Sequence, residues 1–123
     1  MKGHEIDLII ARFMGVDAVV RPDILEVTGN KVVAVREGAW WYSVNYTKSL
    51  DALVPVVEKI FSESSLWIIE FEQRNHDLWI AEIGRTDNFN YLIESSSPSL
   101  ALATACAKVI LEISPELNEN KID

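Results

Sequence analysis

Three short apolar segments at residues 66–73, 78–84 and 91–95 limit what this chain can fold into, because two of them place hydrophobic side chains on both faces of an extended strand. In the first, Trp67, Ile69 and Phe71 share one face while Leu66, Ile68, Glu70 and Glu72 share the other. In the second, Trp79, Ala81 and Ile83 oppose Leu78, Ile80 and Glu82. Polar turns join the three, which predicts an antiparallel meander. A sheet that is apolar on both faces needs cover on both, from helices or from another chain. The pattern therefore predicts a layered sandwich and self-association.

Helical spacing supplies the cover. Ile6, Ile9, Ile10 and Phe13 recur at helical intervals over residues 4–14, and Gly15 is a natural stop. Thr47 or Ser49 can cap a second helix running to about Phe61, with Leu50, Leu53, Val54, Val57 and Ile60 as its apolar face. Pro55 predicts a kink or an irregular first turn there. Ser97 as cap and Pro98 at the first position open a third helix to about Ile113, beyond which the polar tail from Ser114 to Asp123 frays. Between the first two helices, Gly29-Asn30 separates Leu25-Glu26-Val27 from Val32-Val33-Ala34-Val35, which reads as an inserted β-hairpin. Trp40-Trp41-Tyr42 follows it, and alternation puts Trp40 and Tyr42 on one strand face and Trp41 on the other. Core or subunit packing is the preferred use of these rings over ligand stacking. The expected class is α+β: an antiparallel sheet packed with about three α-helices plus the hairpin, in a single domain over residues 1–123.

Composition narrows the function. A chain of 123 residues, 49% hydrophobic, has material for one core. Its net charge of -8 disfavours DNA or RNA polymers and anionic membranes, whose recognition requires clustered Lys and Arg. A few well-placed Arg side chains still suffice for a phosphate inside a pocket. The single cysteine, Cys106, lies in an Ala-rich apolar helix and reads as a small buried hydrophobe. With no signal-like N-terminus and no apolar run long enough for a membrane span, a cytoplasmic protein is expected.

Catalytic constellations do not emerge. His4 and His76 lack metal-ligand spacing, the serines lack a nucleophile elbow, and no Gly-rich phosphate loop occurs among five glycines. Neither a metal nor a cofactor is expected. Glu70, Glu72 and Glu82 share a neighbourhood that a solvated strand face explains better than acid/base catalysis. Arg12 fits the negative end of the first helix dipole, and Ser97 fits self-capping better than anion binding. The better candidate is Arg85, Thr86, Asp87, Asn88, Phe89, Asn90 and Tyr91, read as a polar loop between strands. Its guanidinium, amides, acid and rings match the needs of phosphate, ribose and base, although the same residue types also make ordinary turns. Arg74 adds a cation at the other end of the shared strand, about seven residues or roughly 23 Å away, so one small ligand would need Arg74 and Arg85 from different chains. Phe71 and Trp79 could line the sheet face between them.

Three segments carry a family resemblance: Leu8-Ile9-Ile10-Ala11-Arg12-Phe13-Met14-Gly15, the stretch from Asn45-Tyr46-Thr47-Lys48-Ser49 to Glu58-Lys59, and Ser97-Pro98-Ser99-Leu100 through Cys106-Ala107. They resemble the phage alpha-beta-alpha sandwich family in its Met-Gly helix end, its Tyr-Ser/Thr turn and its Pro-led, Ala-rich last helix. Lys48-Ser49 departs from the hydroxyl or acid of many relatives. Size and insertion look like the Thoeris anti-defence proteins within that family. The resemblance implies sequestration, without cleavage, of glycocyclic ADP-ribose signals made by TIR enzymes in an infected bacterial cell. It also implies homodimers or higher oligomers up to hexamers, with cyclic di- or trinucleotides at additional sites in some members. On that expectation Phe13, Phe71 or Phe89 stacks adenine, Arg85 and a partner's Arg74 contact the pyrophosphate, and Asp87, Asn88 and Asn90 hold base and ribose edges. Thr86 and Tyr91 complete the expected binding set. The alternatives are a phage accessory or structural protein-interaction domain and, less favoured, a cyclic nucleotide hydrolase.

Overall fold

The computed structural model describes residues 1–22, 31–37, 40–63, 67–85 and 88–118. Helix α1 (Gly3–Phe13) is followed by strands β1 (Asp17–Pro22), β2 (Lys31–Glu37) and β3 (Trp40–Val44). A 3-10 turn (Tyr46–Lys48) leads into α2 (Leu50–Glu63), and then come β4 (Trp67–Asn75), β5 (Leu78–Arg85), β6 (Asn88–Ser95) and α3 (Pro98–Ile113), with a last 3-10 turn at Pro115–Asn118. The fold is α+β, with two three-stranded antiparallel sheets ordered β1-β2-β3 and β4-β5-β6.

The layer order differs from an alpha-beta-alpha sandwich. The helices stand between the sheets: α1 packs on β1 and β2, α3 packs on β5 and β6, and α1 and α2 both pack on α3. Helix α1 meets two environments because it is apolar almost all round. Its Ile6, Ile9, Ile10 and Phe13 join α2, α3 and the β4-β5-β6 sheet in the main core, while Leu8 and Ala11 meet Val33 and Val35 in a smaller one. The helix ends as the sequence predicts. Gly15 takes φ +78, its N–H bonds the Arg12 carbonyl, and the Val16 N–H bonds that of Ala11, a Schellman closure.

The expected hairpin becomes a sheet. Its first strand is Asp17–Pro22, earlier than the Leu25-Glu26-Val27 assignment, which lies outside the described residues along with the Gly29-Asn30 turn. β2 pairs β1 from Asp17↔Arg36 to Pro22↔Lys31, and the Trp40-Trp41-Tyr42 segment adds β3 through Trp40↔Glu37, Trp41↔Arg36 and Tyr42↔Val35.

Strand alternation in the second sheet agrees with the sequence. Ile69, Phe71, Trp79, Ala81, Ile83 and Ile93 face the helical core. The opposite face carries Glu70, Glu72, Ile80, Glu82, Leu92 and Glu94, with Glu70 directly across from Glu82 and Ile80 held between Glu72 and Glu94. No helix among the described residues covers that outer face, and Ile68 and Leu92 are 47% and 51% exposed.

The buried stripe of α2 is Leu53, Val56 and Ile60, whereas Leu50 and Val54, expected on that stripe, face solvent. The helix runs unbroken through Pro55, which sits on its exposed side. Ser49 rather than Thr47 caps the helix, accepting from the Ala52 N–H at 3.2 Å. Ser97 caps α3 by accepting from the Leu100 N–H, with Pro98 in the first turn.

Candidate functional site

The three segments behind the family resemblance meet around one buried carboxylate that sequence reading did not single out. Asp7 lies on the α1 face that also carries Ile10, and it is 4% exposed. A carboxylate so placed requires partners, since burial without them costs several kcal/mol, on the order of that for an unpaired polar group or more. They come from the 3-10 turn. The Thr47 N–H donates to Asp7 Oδ1 at 2.9 Å and the Thr47 hydroxyl to Oδ2 at 3.3 Å. From α3, the Ser99 hydroxyl donates to the Thr47 carbonyl at 2.8 Å and lies 3.3 Å from the Ser97 hydroxyl. Desolvation raises the Asp7 pKa above the ordinary carboxylate value, and the Thr47 and Tyr46 hydrogen bonds and the Lys48 charge offset only part of that rise. The signal was present in the sequence as one acid inside Ile6-Asp7-Leu8-Ile9-Ile10.

Two adjoining open depressions flank this junction. One, of about 370 Å³, is lined by Lys48, Ser49, Leu50, Asp51, Pro98 and Ser99. The other, of about 490 Å³, is lined by Ser43, Val44, Asn45, Tyr46, Ser49 and Ala52. α2 and α3 both begin at the first. Hydroxyls, one exposed ammonium and helix amino ends suit an anionic or polyhydroxylated ligand, and Asp51 at the rim opposes a bare anion.

The residues expected to bind ligand divide among several places. Most of the stretch read as a polar loop between strands belongs to the strands themselves. Arg85 ends β5 opposite Asn88, and Asn88, Phe89, Asn90 and Tyr91 already belong to β6. Asn favours turns locally, but ladder pairing overrides that preference at Asn88. Tyr91 pairs with Ile83 and Phe89 with Gly84, which leaves Asn90 as a bulge. Thr86 and Asp87 lie outside the described residues.

Tyr91 ties β6 to α3 by donating its phenol proton to Glu112, with the Lys108 ammonium 5.6 Å from its ring centre. The Glu112 bond, then partial burial, raises the phenol pKa. Phe13 is 6% exposed, packed in the main core, and has the Lys59 ammonium 4.8 Å over its ring while the same ammonium bonds the Phe13 carbonyl at 2.6 Å. Its ring is therefore closed to a stacking ligand, which corrects the expectation for Phe13. Phe71 stacks on Trp79 at 5.2 Å and 24° on the helix side of the sheet. Arg74 and Arg85 occupy opposite ends of the β4–β5 hairpin, as the sequence spacing requires. Arg74 is exposed and bonds Glu72 at 2.9 Å. That bond, followed by the Glu72, Glu82 and Glu94 charges, raises its pKa.

Comparison with protein families, curated proteins and solved structures finds no match to this chain. The site is therefore read from its own chemistry. Among the described residues no three His, Cys, Asp or Glu side chains are grouped to hold a metal ion, and no helix is long and apolar enough to cross a membrane. Cys106 is fully buried, and desolvation pushes its thiol pKa up to about 12, the state of an inert core residue.

Proposed function

We propose that this chain is a sponge for a nucleotide immune signal, binding a glycocyclic ADP-ribose made by TIR enzymes, leaving it intact, and so blocking Thoeris defence in the cytoplasm of an infected bacterium. The observation that carries this reading is the Asp7–Thr47–Ser99 junction. It gathers the three resembling segments at one place, beside depressions lined by hydroxyls and Lys48. Sequestration requires affinity and shape, not proton transfer. Asp7 supports this division of labour, because both its oxygens are bonded within the fold and it holds the binding segments in register.

Arg85, exposed at the end of β5, supplies a fork for the pyrophosphate, which a guanidinium grips in bidentate fashion. With Phe13 in the core and Phe71 engaged by Trp79, base stacking falls to Phe89, and Asp87, Asn88 and Asn90 serve base and ribose edges. The oligomers implied by the resemblance, dimer up to hexamer, and added cyclic di- or trinucleotide sites belong to the same reading.

The test is a thermal-shift titration with the cyclic product of a TIR enzyme, followed by heat release and chromatography of the ligand. Stabilisation with intact ligand recovered is the expected result, and altered ligand would replace the sponge with a hydrolase. Arg85→Ala should weaken binding by about 1.5–3 kcal/mol, the worth of a charge-assisted contact, and unchanged affinity by calorimetry removes Arg85 from the site. A second reading, a protein-interaction accessory, draws on the exposed Leu50, Val54 and Phe61 of α2. It takes over when the ligand produces no shift.

A further inference from the structure

We infer that α2 carries a second apolar seam, separate from its core stripe, that docks a cationic amphipathic helix of a partner protein. The seam belongs to the surface on which the accessory reading draws, and it stands whether or not the chain also binds a nucleotide. Leu50, Val54, Val57 and Phe61 follow one another at steps of four, three and four residues. That is the spacing by which a helix lines one side of itself for a neighbouring helix. The core uses a different stripe of the same helix, Leu53, Val56 and Ile60, each fully buried.

Leu50, Val54 and Phe61 are 37%, 56% and 40% exposed, and of the four only Val57 leans on the core. A row of large apolar side chains along one helix differs from hydrophobic residues scattered singly over a surface, which need no partner. Ile68 on β4 and Leu92 on β6 are of the scattered kind, separated by β5. The row on α2 also selects the shape of its cover. Steps of three and four residues recur along an adjacent helix, whereas the side chains of a strand return to one face at every second residue.

Charge decides which helix fits. Asp51 and Glu58, seven residues apart and both exposed, run alongside the seam on the side away from the core stripe. Neither forms an ion pair among the described residues. The one cation within α2, Lys59, is committed elsewhere: its ammonium bonds the Phe13 carbonyl at 2.6 Å and lies over the Phe13 ring. Lys48, ahead of the helix, shares the first depression with Asp51 and leaves Glu58 about two turns further on. A second copy is a poor occupant, because antiparallel pairing of α2 with itself sets this acid row against its own copy, in a chain of net charge -8. The occupant is therefore a partner helix with an apolar seam of the same spacing and Lys or Arg at seven-residue intervals beside it.

Fluorescence anisotropy with two labelled synthetic peptides and the full chain tests this. Both peptides consist of Leu and Lys over about three heptads. One sets Leu in the seam with Lys beside it, and the other scrambles the same residues, which controls for attraction to any acidic protein. The patterned peptide should bind, and the scrambled one at least about tenfold more weakly. Val54→Asp should weaken the patterned peptide about tenfold with its circular dichroism unchanged, and Phe61→Ser should do so independently. Glu58→Lys should weaken it about threefold or more, while Glu82→Lys, the same charge change on the second sheet, should stay within about twofold. Equal binding of the two peptides, binding of neither, or equal losses from Glu58→Lys and Glu82→Lys overturns the seam. So does a wild type that sediments as a dimer which Val54→Asp dissolves, since the seam would then belong to a second copy. The TIR product should raise the melting temperature of wild type and Val54→Asp alike. That shift without patterned-peptide binding rejects the seam and keeps the nucleotide reading, and peptide binding without the shift does the reverse.

Discussion

Carboxylates occupy two opposite settings in this molecule. Asp7 is enclosed by α1, the 3-10 turn and α3, with both oxygens accepting hydrogen bonds. Glu70, Glu72 and Glu94 stand exposed on an open sheet face, where Glu70 lies directly across from Glu82. The enclosed acid holds three distant segments together, and its removal strands the groups it satisfies. Acids on the open face are screened by water, and they discourage another sheet edge or face from settling there. Charge is thus structural where it is buried and exclusionary where it is exposed.

The sharpest way to break this contrast is Asp7→Ala. It leaves the Thr47 N–H and hydroxyl without an acceptor in a closed space, a loss expected to cost about 2–3 kcal/mol in urea unfolding. Glu70→Ala should stay within about 0.5 kcal/mol, as for an exposed site. A comparable loss for both would erase the distinction. pH sharpens it further. Because the folded pKa of Asp7 is raised, the folded state binds more protons than the unfolded state between the two values. Its contribution is therefore most favourable below the ordinary carboxylate value and declines as pH rises through the folded value. The stability difference between wild type and Asp7→Asn should shift against the wild type across that window, and urea midpoints that track each other in parallel there would refute it.

A second contrast lies within α2. Leu53→Ala removes a fully buried side chain and should cost about 3 kcal/mol, whereas Val54→Ala, at 56% exposure, should cost less than about 0.5 kcal/mol. The sequence stripe held both residues, and a comparable loss at each would restore it. Periodicity identifies an apolar arc, but the element that will cover it is set by tertiary packing. Local signals had more success where they act locally: Gly15 closing α1, Ser97-Pro98 opening α3, and the alternation that sends Trp79, Ala81 and Ile83 inward.

Non-local pairing was less legible. Asp17–Pro22 carries no turn signal to announce a strand and becomes one by pairing with β2. Asn88 to Asn90 reads as loop because its residue types favour turns, yet the β5 ladder extends it. Of the candidate site, the Arg74–Arg85 separation was readable from strand rise. The closure of Phe13 under Lys59 was not, since those residues lie 46 positions apart. Asp7 was visible only as an anomaly, an acid where the apolar pattern asks for none.

The smallest expected effect concerns Tyr91, whose phenol lies between the two settings. It belongs to the sheet yet reaches an exposed carboxylate of α3, so Tyr91→Phe should cost no more than about 0.5 kcal/mol. Its ionisation is the more informative measurement. Hydrogen bonding to Glu112 favours the neutral phenol, and the adjacent negative charge opposes the phenolate, so its pKa should lie above that of a free tyrosine. The difference between wild-type and Tyr91→Phe absorbance titrations isolates that one ring, and Glu112→Gln should bring its midpoint down. A midpoint that Glu112→Gln leaves in place would mean that β6 and α3 are joined by packing of Ile93 against the helix and not by this bond.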